Sequence, residues 1–331
     1  MNVLVTGGAG FIGSHLCEAL LSAGHRVVAL DNFDDFYAPR IKRDNLADCG
    51  RSGAFTLIEG DIRDSARVPS VLEEYAIHTV VHLAARAGVR PSIERPVLCQ
   101  DVNVGGTSIM LEAARRNDVD KFIFASSSSV YGNNRKIPFS ESDNVDSPIS
   151  PYAATKKAGE LLCHTYHHLY GLNVTCLRFF TVYGPRQRPD LAVHKFARLI
   201  EQDRPIPVFG DGSLARDFTY IDDVIEGVTS AIERCRGYAV YNLGSSRSIS
   251  LSKLIERLEA VLGKRARIER LPLCPGDVER TFADLSLARA KLGYEPRTPL
   301  DDGLASFVGW LRGGGWDAVL ASTVSQGERA A

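Results

Sequence analysis

The chain has 331 residues, which is long enough to bury a large core and favours two lobes over one. Its composition is that of an ordinary globular protein, with 44% hydrophobic and 24% charged residues, and its net charge of −1 argues against a nucleic-acid or membrane partner. The seven cysteines include no Cys-x-x-Cys pair, and no apolar stretch approaches membrane-spanning length. Because the chain enters an apolar strand at Val3, we expect no signal peptide and a cytoplasmic location.

The first predicted strand, Asn2 to Thr6, runs directly into a glycine-rich turn and a helix. Gly7, Gly10 and Gly13 have the spacing G-x-x-G-x-x-G, and the helical pattern of Ser14 to Ala23 follows them. Such a turn lets the backbone approach a pyrophosphate that is held at the N-terminus of the helix. The sequence therefore predicts a dinucleotide-binding turn.

The second predicted strand, Arg26 to Leu30, ends at an acidic residue, Asp31. A carboxylate about 20 residues beyond the glycine turn binds the ribose hydroxyls of a dinucleotide. A carboxylate would repel a 2′-phosphate, and Asn32 supplies no cation beside it. We therefore predict NAD rather than NADP as the cofactor.

Strands and helices continue to alternate, which predicts an α/β fold with a doubly wound parallel (Rossmann) sheet. Ligands bind at the carboxyl ends of the strands in such sheets. The residues at the predicted strand ends should therefore converge on one cleft: Gly7, Asp31, Asp61, Ala84, Ser127 and Thr181. Asp61 has an alternative interpretation, as a carboxylate that caps its own loop or helix.

Beyond Thr181 the pattern changes to turns, short apolar segments and helices. We predict an NAD-binding domain of residues 1–180, to which residues 216–245 return. Residues 181–215 and 246–312 would form a smaller, interleaved α/β substrate lobe. Residues 313–331 lack apolar periodicity and are predicted to be a flexible tail.

The stretch from Phe122 to Lys156 carries the predicted catalytic groups. An apolar strand ends in the serines Ser126 to Ser129, and Ser150-Pro151 then begins a helix. Tyr152 and Lys156 share one face of that helix, and an ammonium beside a phenol favours the phenolate. With a serine hydroxyl to orient a substrate alcohol, the stretch supplies a base and a cation that tunes it. A Tyr-x-x-x-Lys pair alone also occurs on ordinary helix surfaces, so the surrounding motifs decide.

These motifs resemble the extended short-chain dehydrogenase/reductases, which share the glycine spacing, the serine-rich strand end and Ser-Pro-Tyr-x-x-x-Lys. The similarity includes Leu177-Arg178-Phe179, Val182-Tyr183-Gly184-Pro185 and Arg216-Asp217-Phe218. Within that family the chain is most similar to the nucleotide-sugar 4-epimerases. Asp31-Asn32-Phe33-x-x-Phe36-Tyr37, Leu83 to Ser92 and Gly276-Asp277-Val278 resemble in particular the UDP-glucuronate 4-epimerases. Departures are Arg86, where glutamine is usual, Pro91, where an aromatic is common, Cys274, and the pair Arg186-Gln187.

The resemblance implies Tyr152 as the base, Lys156 as the residue that tunes it and anchors the ribose, and Ser127 as the orienting hydroxyl. It implies a tightly held NAD bound by Gly7, Gly10, Phe11, Ile12, Gly13, Asp31, Asn32, Asp61, Ile62, Leu83, Ala84, Ala85, Asn103, Tyr152, Lys156 and Phe179. It implies a UDP-sugar bound by Ser127, Phe209, Arg216 and Asp277, and the chemistry of the side chains adds Ser128, Thr181 and Arg188 as candidate contacts. Of these, Phe209 would stack near uracil, Arg216 would pair with the diphosphate, and Asp277 would bind the ribose. A homodimer through the Tyr152 helix is a further expectation.

The predicted reaction is conversion of UDP-glucuronate to UDP-galacturonate through a transient 4-keto intermediate. Related dehydratases and decarboxylases carry acidic residues just after the orienting hydroxyl, whereas Ser128 and Ser129 stand there in this chain. Hydroxyls bind a carboxylate without repelling it. Arg188 is the candidate partner of the sugar carboxylate, because a guanidinium offers a bidentate match.

Several alternatives remain open at this stage. If Arg188 is a surface arginine or a phosphate contact, a UDP-glucose/UDP-galactose 4-epimerase is the main alternative. A non-catalytic NAD-binding sensor on the same fold is another, although such proteins usually lose the tyrosine or the lysine. His164 and His168 have metal-ligand spacing but no evident acid or cysteine partner, so no metal site is expected.

Overall fold

The computed structural model describes residues 1–273 and 278–315, in which strands and helices alternate. The strands are β1 (Asn2–Thr6), β2 (Arg26–Asp31), β3 (Phe55–Glu59), β4 (Thr79–His82), β5 (Lys121–Ser127), β6 (Asn173–Phe179), β7 (Thr181–Tyr183), β8 (Ile206–Phe209), β9 (Ala215–Tyr220), β10 (Tyr238–Leu243), β11 (Ser248–Ser250) and β12 (Ile268–Leu271). The α-helices are α1 (Phe11–Ser22), α2 (Pro39–Asn45), α3 (Arg67–Glu74), α4 (Val89–Glu94), α5 (Pro96–Gln100), α6 (Gly106–Arg116), α7 (Pro151–Tyr170), α8 (Ala192–Glu201), α9 (Ile221–Arg234), α10 (Leu251–Leu262), α11 (Ser286–Leu292) and α12 (Leu300–Trp310).

Seven of these strands form one parallel sheet in the order β10-β6-β5-β4-β1-β2-β3. The chain builds the sheet outward from β1 through β2 to β3, and then continues on the other side of β1 with β4. The strand order therefore reverses between β1 and β4. A doubly wound sheet binds its ligand in the crevice at such a reversal. The predicted doubly wound parallel α/β sheet is confirmed.

The sheet separates two apolar cores, because successive side chains of a strand point to opposite faces. In β1, Val3 and Val5 pack into one core and Leu4 packs into the other, and all three are fully buried. Helices α1 and α9 cover the first face, and α3 and α6 cover the second. Burial on both faces explains why β1 reads as a continuous apolar run in the sequence.

Some element boundaries differ from the sequence predictions. Helix α1 begins at Phe11 rather than at Ser14, since Gly10 already occupies the N-cap position. Helix α6 is preceded by a π-helical turn, Asp101–Gly105, which continues into it. Such turns widen a helix locally and often occur near functional sites.

The smaller sheets come from the later part of the chain. Strands β7, β9 and β11 form one sheet, and β8 pairs with β12. The chain returns to the main sheet at β10, which pairs with β6. The division into an NAD-binding domain and an interleaved lobe stays a prediction.

The last described segment is the turn Leu311–Gly315, which follows α12. Residues 316–331, which make up most of the predicted tail, lie outside the described residues, as do Cys274 and Asp277. Within residues 1–273 and 278–315, no helix combines the length and the apolarity that crossing a membrane requires.

Candidate active site

A cleft of about 490 Å³ lies where the main-sheet strands end. Its walls come from the segments that follow β1 to β6, together with the start of α7 and the loop after β7. Most of the predicted site residues line it: Gly7, Gly10, Phe11, Ile12, Gly13, Asp31, Asn32, Asp61, Ile62, Leu83, Ala84, Ala85, Ser127, Ser128, Tyr152, Lys156, Phe179, Thr181 and Arg188. The structure therefore brings together residues that are up to 181 positions apart in the chain, from Gly7 to Arg188.

The glycine turn leaves no space for a side chain at Gly7 or at Gly13. Gly7 has a φ of +68°, and a Cβ atom on it would lie 2.9 Å from the backbone nitrogen of Ala84. A Cβ atom on Gly13 would lie 2.1 Å from the carbonyl oxygen of Gly7. Because Gly10 caps α1 without a side-chain hydrogen bond, the N-terminus of α1 faces the cleft unobstructed. This cradle fits the pyrophosphate of a dinucleotide.

Asp31 is buried, and its carboxylate is held by the backbone. It accepts hydrogen bonds from the N–H groups of Ala9 at 3.1 Å and Phe33 at 2.9 Å. The Lys42 ammonium lies 3.9 Å from the same carboxylate. Burial raises the pKa of Asp31, and the charge of Lys42 opposes that rise. Asn32 carries no charge. The cation beside Asp31 is instead Lys42, which belongs to α2 and not to the end of β2.

The position of Asp61 fits both of the interpretations that the sequence leaves open. It lines the cleft, and it also accepts hydrogen bonds from the Arg63 guanidinium at 3.0 and 2.7 Å and from the Arg63 backbone N–H at 2.9 Å. The Asn32 amide donates to it at 3.1 Å. The hydrogen bond from Arg63 is the main reason why the pKa of Asp61 falls to about 2. The carboxylate therefore stays ionised and fixed.

Tyr152 and Lys156 are placed by the helix start that the sequence predicts. The Ser150 hydroxyl accepts a hydrogen bond from the Ala153 N–H at 3.2 Å, with Pro151 at the first helical position. The Lys156 ammonium donates to the carbonyl oxygen of Ala125 at 2.7 Å and lies 5.9 Å from the centre of the Tyr152 ring. Helix α7 therefore presents both side chains to the end of β5, which carries Ser127.

The electrostatics of Tyr152 differ from the sequence expectation. Burial raises the pKa of the phenol, while the Ser127 hydrogen bond and the charge of Arg188 oppose the rise. Burial also lowers the pKa of Lys156 to about 8. The charge of Arg188 therefore favours the phenolate, and the role of Lys156 as the residue that tunes Tyr152 stays a prediction.

Arg188 lies in a tightly held loop. The amide of Gln187 donates to the Val182 carbonyl at 2.9 Å, which fixes the turn before it. The Arg188 guanidinium forms a bidentate ion pair with Asp190 at 3.0 and 2.8 Å, and donates to the Ala87 carbonyl at 3.4 Å. Arg188 therefore reaches the cleft with a carboxylate partner of its own, which a sugar carboxylate would have to share or displace.

Three predicted contacts do not line the cleft. Asn103 is buried and uses its side chain internally: it accepts from the Arg86 N–H at 2.8 Å and donates to the Thr155 hydroxyl at 3.0 Å. The guanidinium carbon of Arg90 lies 3.9 Å from the centre of the Phe209 ring. Arg216 donates to the neighbouring Ala215 carbonyl at 2.9 Å. Their roles stay predictions, and Asp277 lies outside the described residues.

Sequence reasoning missed several side chains that line the cleft. Lys42, Phe36 and Tyr37 follow β2, and Arg86 follows β4. Three of them, Phe36, Tyr37 and Arg86, lie within motifs on which the family resemblance rests. Their spacing in the sequence does not show that they line the cleft. His164 and His168, by contrast, stack at 6.3 Å on the surface of α7. Within the described ranges, no group of three or more histidine, cysteine or acidic side chains is arranged to hold a metal ion.

A glycine turn at the reversal of a parallel sheet, with a tyrosine, a lysine and a serine at the adjoining strand end, defines the short-chain dehydrogenase/reductase type of site. The chain belongs to the NAD dependent epimerase/dehydratase family, whose model matches residues 3–244. It is 44% identical over 310 residues to a UDP-glucuronate 4-epimerase of Thermodesulfobacterium geofontis, covering 93% of this chain and 95% of that protein. It is 45% identical to UDP-glucuronate 4-epimerase 3 of Arabidopsis thaliana, covering 94% and 76% of the two chains.

Solved structures agree with this placement. The fold matches a UDP-glucuronic acid 4-epimerase of Bacillus cereus, crystallised with UDP-glucuronic acid and NAD, with a TM-score of 0.90 and 40% identity over 95% of this chain and 99% of that one. It also matches a UDP-glucose 4-epimerase of Thermotoga maritima, crystallised with UDP-glucose, with a TM-score of 0.87 and 33% identity over 95% and 99% of the chains. The predicted similarity to nucleotide-sugar 4-epimerases is confirmed.

Proposed function

We propose that the protein is a UDP-glucuronate 4-epimerase that interconverts UDP-glucuronate and UDP-galacturonate with a tightly bound NAD. The observation that carries this proposal is the position of Arg188. Its guanidinium lies in the same cleft as Ser127 and Tyr152, close enough for its charge to act on the Tyr152 phenol. A cation beside the reacting alcohol suits a substrate whose carboxylate is attached to the carbon next to the reacting one. The three UDP-glucuronate 4-epimerases named above support the same substrate.

The residues of the cleft fit NAD. The glycine turn and the N-terminus of α1 would hold the pyrophosphate, and Asp31 would hold the adenosine ribose, with Asp61 on the adenine side. When bound, NAD⁺ supplies a reversible hydride acceptor for the C4 carbon of the sugar. No net oxidation results, so one bound cofactor serves repeated turnovers.

In this proposal Tyr152 removes the proton of the sugar 4-hydroxyl, and Ser127 donates a hydrogen bond that orients the same oxygen. Burial makes the phenolate costly, so positive charge near Tyr152 is needed for it to act as a base near neutral pH. Arg188 supplies part of that charge, and Lys156 anchors the helix to β5 through Ala125.

The same groups would protect the intermediate. A 4-keto derivative of glucuronate is a β-keto acid, which can lose CO₂. The hydroxyls of Ser128 and Thr181 line the cleft, and an acidic side chain is absent from positions 128 and 129. We propose that these hydroxyls and Arg188 hold the carboxylate in an orientation that disfavours cleavage, as hydroxyls bind a carboxylate without repelling it.

One observation favours a second candidate, the UDP-glucose/UDP-galactose 4-epimerase. Asp190 already neutralises Arg188 through a bidentate ion pair, so a neutral hydroxymethyl group would leave that pair undisturbed. The experiment that separates the two incubates the purified protein with UDP-glucuronate and, separately, with UDP-glucose, and resolves the products by anion-exchange chromatography.

Conversion of UDP-glucuronate to its C4 epimer supports the proposal. Conversion of UDP-glucose alone contradicts it and favours the second candidate. If neither nucleotide sugar is converted by protein that has bound NAD, other nucleotide sugars are tested before the non-catalytic sensor is reconsidered.

We also propose a homodimer that forms through the exposed face of α7. Leu161, Leu169 and Tyr170 are 57%, 60% and 53% exposed on this helix, and Val97 on the adjacent α5 is 80% exposed. Exposed apolar side chains of this size suit a protein interface. Sedimentation equilibrium tests this: a dimer that Leu161→Asp converts to a monomer is expected, and a monomeric unaltered protein would contradict the proposal.

We place the protein in the cytoplasm. The cysteines that the structure describes, Cys17, Cys49, Cys99, Cys163, Cys176 and Cys235, are free and buried, which suits a reducing compartment. Cell fractionation followed by immunoblotting tests this, and recovery from an exported or membrane fraction would contradict it.

A further inference from the structure

An ion pair joins two loops on opposite sides of β1. Arg86 belongs to the loop after β4, Asp34 belongs to the loop after β2, and the Arg86 guanidinium donates a hydrogen bond to the Asp34 carboxylate. Strands β2 and β4 are the two neighbours of β1 in the sheet. Since neighbouring strands lie about 4.8 Å apart, the loops start roughly 10 Å apart. The pair therefore spans the end of β1, where the glycine turn begins.

Both ends of this ion pair are held in place before they meet. Asp34 is fixed by its own turn, because its carboxylate accepts from the Phe36 N–H at 2.9 Å and its carbonyl accepts from the Lys42 ammonium at 2.9 Å. Arg86 is fixed through its backbone: Asn103 accepts from its N–H at 2.8 Å and donates to its carbonyl at 3.2 Å. The backbones of the two loops are therefore already ordered, and pairing costs mainly the rotamer freedom of the Arg86 side chain.

Phe36 strengthens the connection. The guanidinium carbon atoms of Arg86 and Arg188 lie 5.2 and 5.3 Å from the centre of its ring, within the range of cation–π attraction. The side chains of Arg86 and Asp34 are 17% and 32% exposed, so water screens their attraction less than it screens an ordinary surface pair. The loop after β2 is thereby tied to the loops after β4 and β7.

This connection crosses the route that a dinucleotide must take. Asp31 ends β2 and Asp61 follows β3, whereas Ser127 ends β5 and faces Tyr152. A ligand that reaches both groups passes the ends of β1 and β4. We propose that the Asp34–Arg86 pair is a latch that slows the dissociation of the bound dinucleotide. The inference rests on the proposed use of NAD, but not on the identity of the sugar.

The test measures the exchange of bound NAD. Purified protein is loaded with radiolabelled NAD, mixed with excess unlabelled NAD, and the retained label is followed by rapid gel filtration. Arg86→Gln and Asp34→Asn are each expected to accelerate loss of the label about tenfold. This is the size expected for a half-buried ion pair, which contributes more than an exposed pair and less than a fully buried one. The double variant should be no faster than either single variant, since each change already removes the pair.

Arg43→Gln is the matched control. It removes the ion pair between Arg43 and Glu59, whose charged groups lie 2.9 Å apart. Both side chains are exposed, and neither residue lines the cleft. Its exchange rate should equal that of the unaltered protein. Thermal melting establishes that each variant is folded, and if Arg86→Gln does not fold, Asp34→Asn tests the pair from its other side.

The outcomes separate the latch from the proposed cofactor. Unchanged exchange in the folded variants overturns the latch alone, and so does an additive effect in the double variant. Failure of the unaltered protein to bind NAD overturns the proposed cofactor and the latch with it.

Discussion

The Glu160 carboxylate accepts a hydrogen bond from the Ser126 hydroxyl at 2.6 Å, which ties helix α7 to the end of strand β5. Glu160 lies one helical turn beyond Lys156, and Lys156 contacts the preceding residue of the strand, Ala125. Two consecutive strand residues thus hold two successive turns of α7. This fixes the position of Tyr152 relative to Ser127, the next residue of β5.

Glu160 is also half of a buried ion pair, which leads to the first prediction. Both Glu160 and Arg178 are almost fully buried, and the guanidinium donates to the two carboxylate oxygens at 2.8 Å each. Glu160→Leu leaves the Arg178 charge buried without a carboxylate partner, so the free energy of unfolding should fall by about 3–5 kcal/mol. Urea denaturation measures this loss.

Two comparisons complete this test. Glu112→Gln removes a more exposed carboxylate that pairs with Arg115 and Arg116, and it should cost less than about 1 kcal/mol. The double variant Glu160→Leu/Arg178→Met should recover part of the loss, because it removes both charges. A cost for Glu160→Leu as small as that for Glu112→Gln would show that the buried pair does not stabilise the fold.

The second prediction concerns Tyr152 as the base. Tyr152→Phe removes the hydroxyl and leaves the ring, so kcat should fall about 10²- to 10⁴-fold while NAD binding and the unfolding transition persist. Tyr166→Phe is the control: it removes a half-buried hydroxyl of α7 that donates to Glu112, and it should retain activity. Nearly full activity in Tyr152→Phe would exclude this residue as the base.

Parts of the site that depend on one short segment were predictable from the sequence. The glycine turn, the Ser150 cap and the shared face of Tyr152 and Lys156 follow from spacing alone, because local backbone geometry sets them. The contact between Asp34 and Arg86 was not predictable, since it depends on the path of two loops that are 52 residues apart. The pKa of Tyr152 was not predictable either, because burial and the charge of Arg188 act in opposite directions.

The third prediction follows from that opposition. Arg188→Gln removes a charge that lowers the pKa of Tyr152, so the pKa of the phenol should rise further. A base must be deprotonated to act, so the rising limb of kcat/KM against pH should move to higher pH. Arg135→Gln removes an exposed arginine and should leave the profile in place. An unmoved limb in Arg188→Gln would mean that Arg188 does not tune the base.

The last prediction concerns His82, which lies beneath the cleft and is buried between two hydroxyls. Its Nδ1 lies 2.7 Å from the Thr6 hydroxyl and its Nε2 lies 3.1 Å from the Thr107 hydroxyl. Burial lowers its pKa to about 3, so the unfolded chain binds a proton between pH 6.5 and 3 that the folded protein does not. This histidine should therefore lower the free energy of unfolding by about 1.4 kcal/mol for each pH unit of acidification in that window.

His82→Gln removes the titrating ring, and urea denaturation at pH 7 and pH 5 should show a smaller acid destabilisation. His164→Gln, which removes an exposed histidine, should retain the full effect, and equal losses in both variants would contradict a neutral, buried His82.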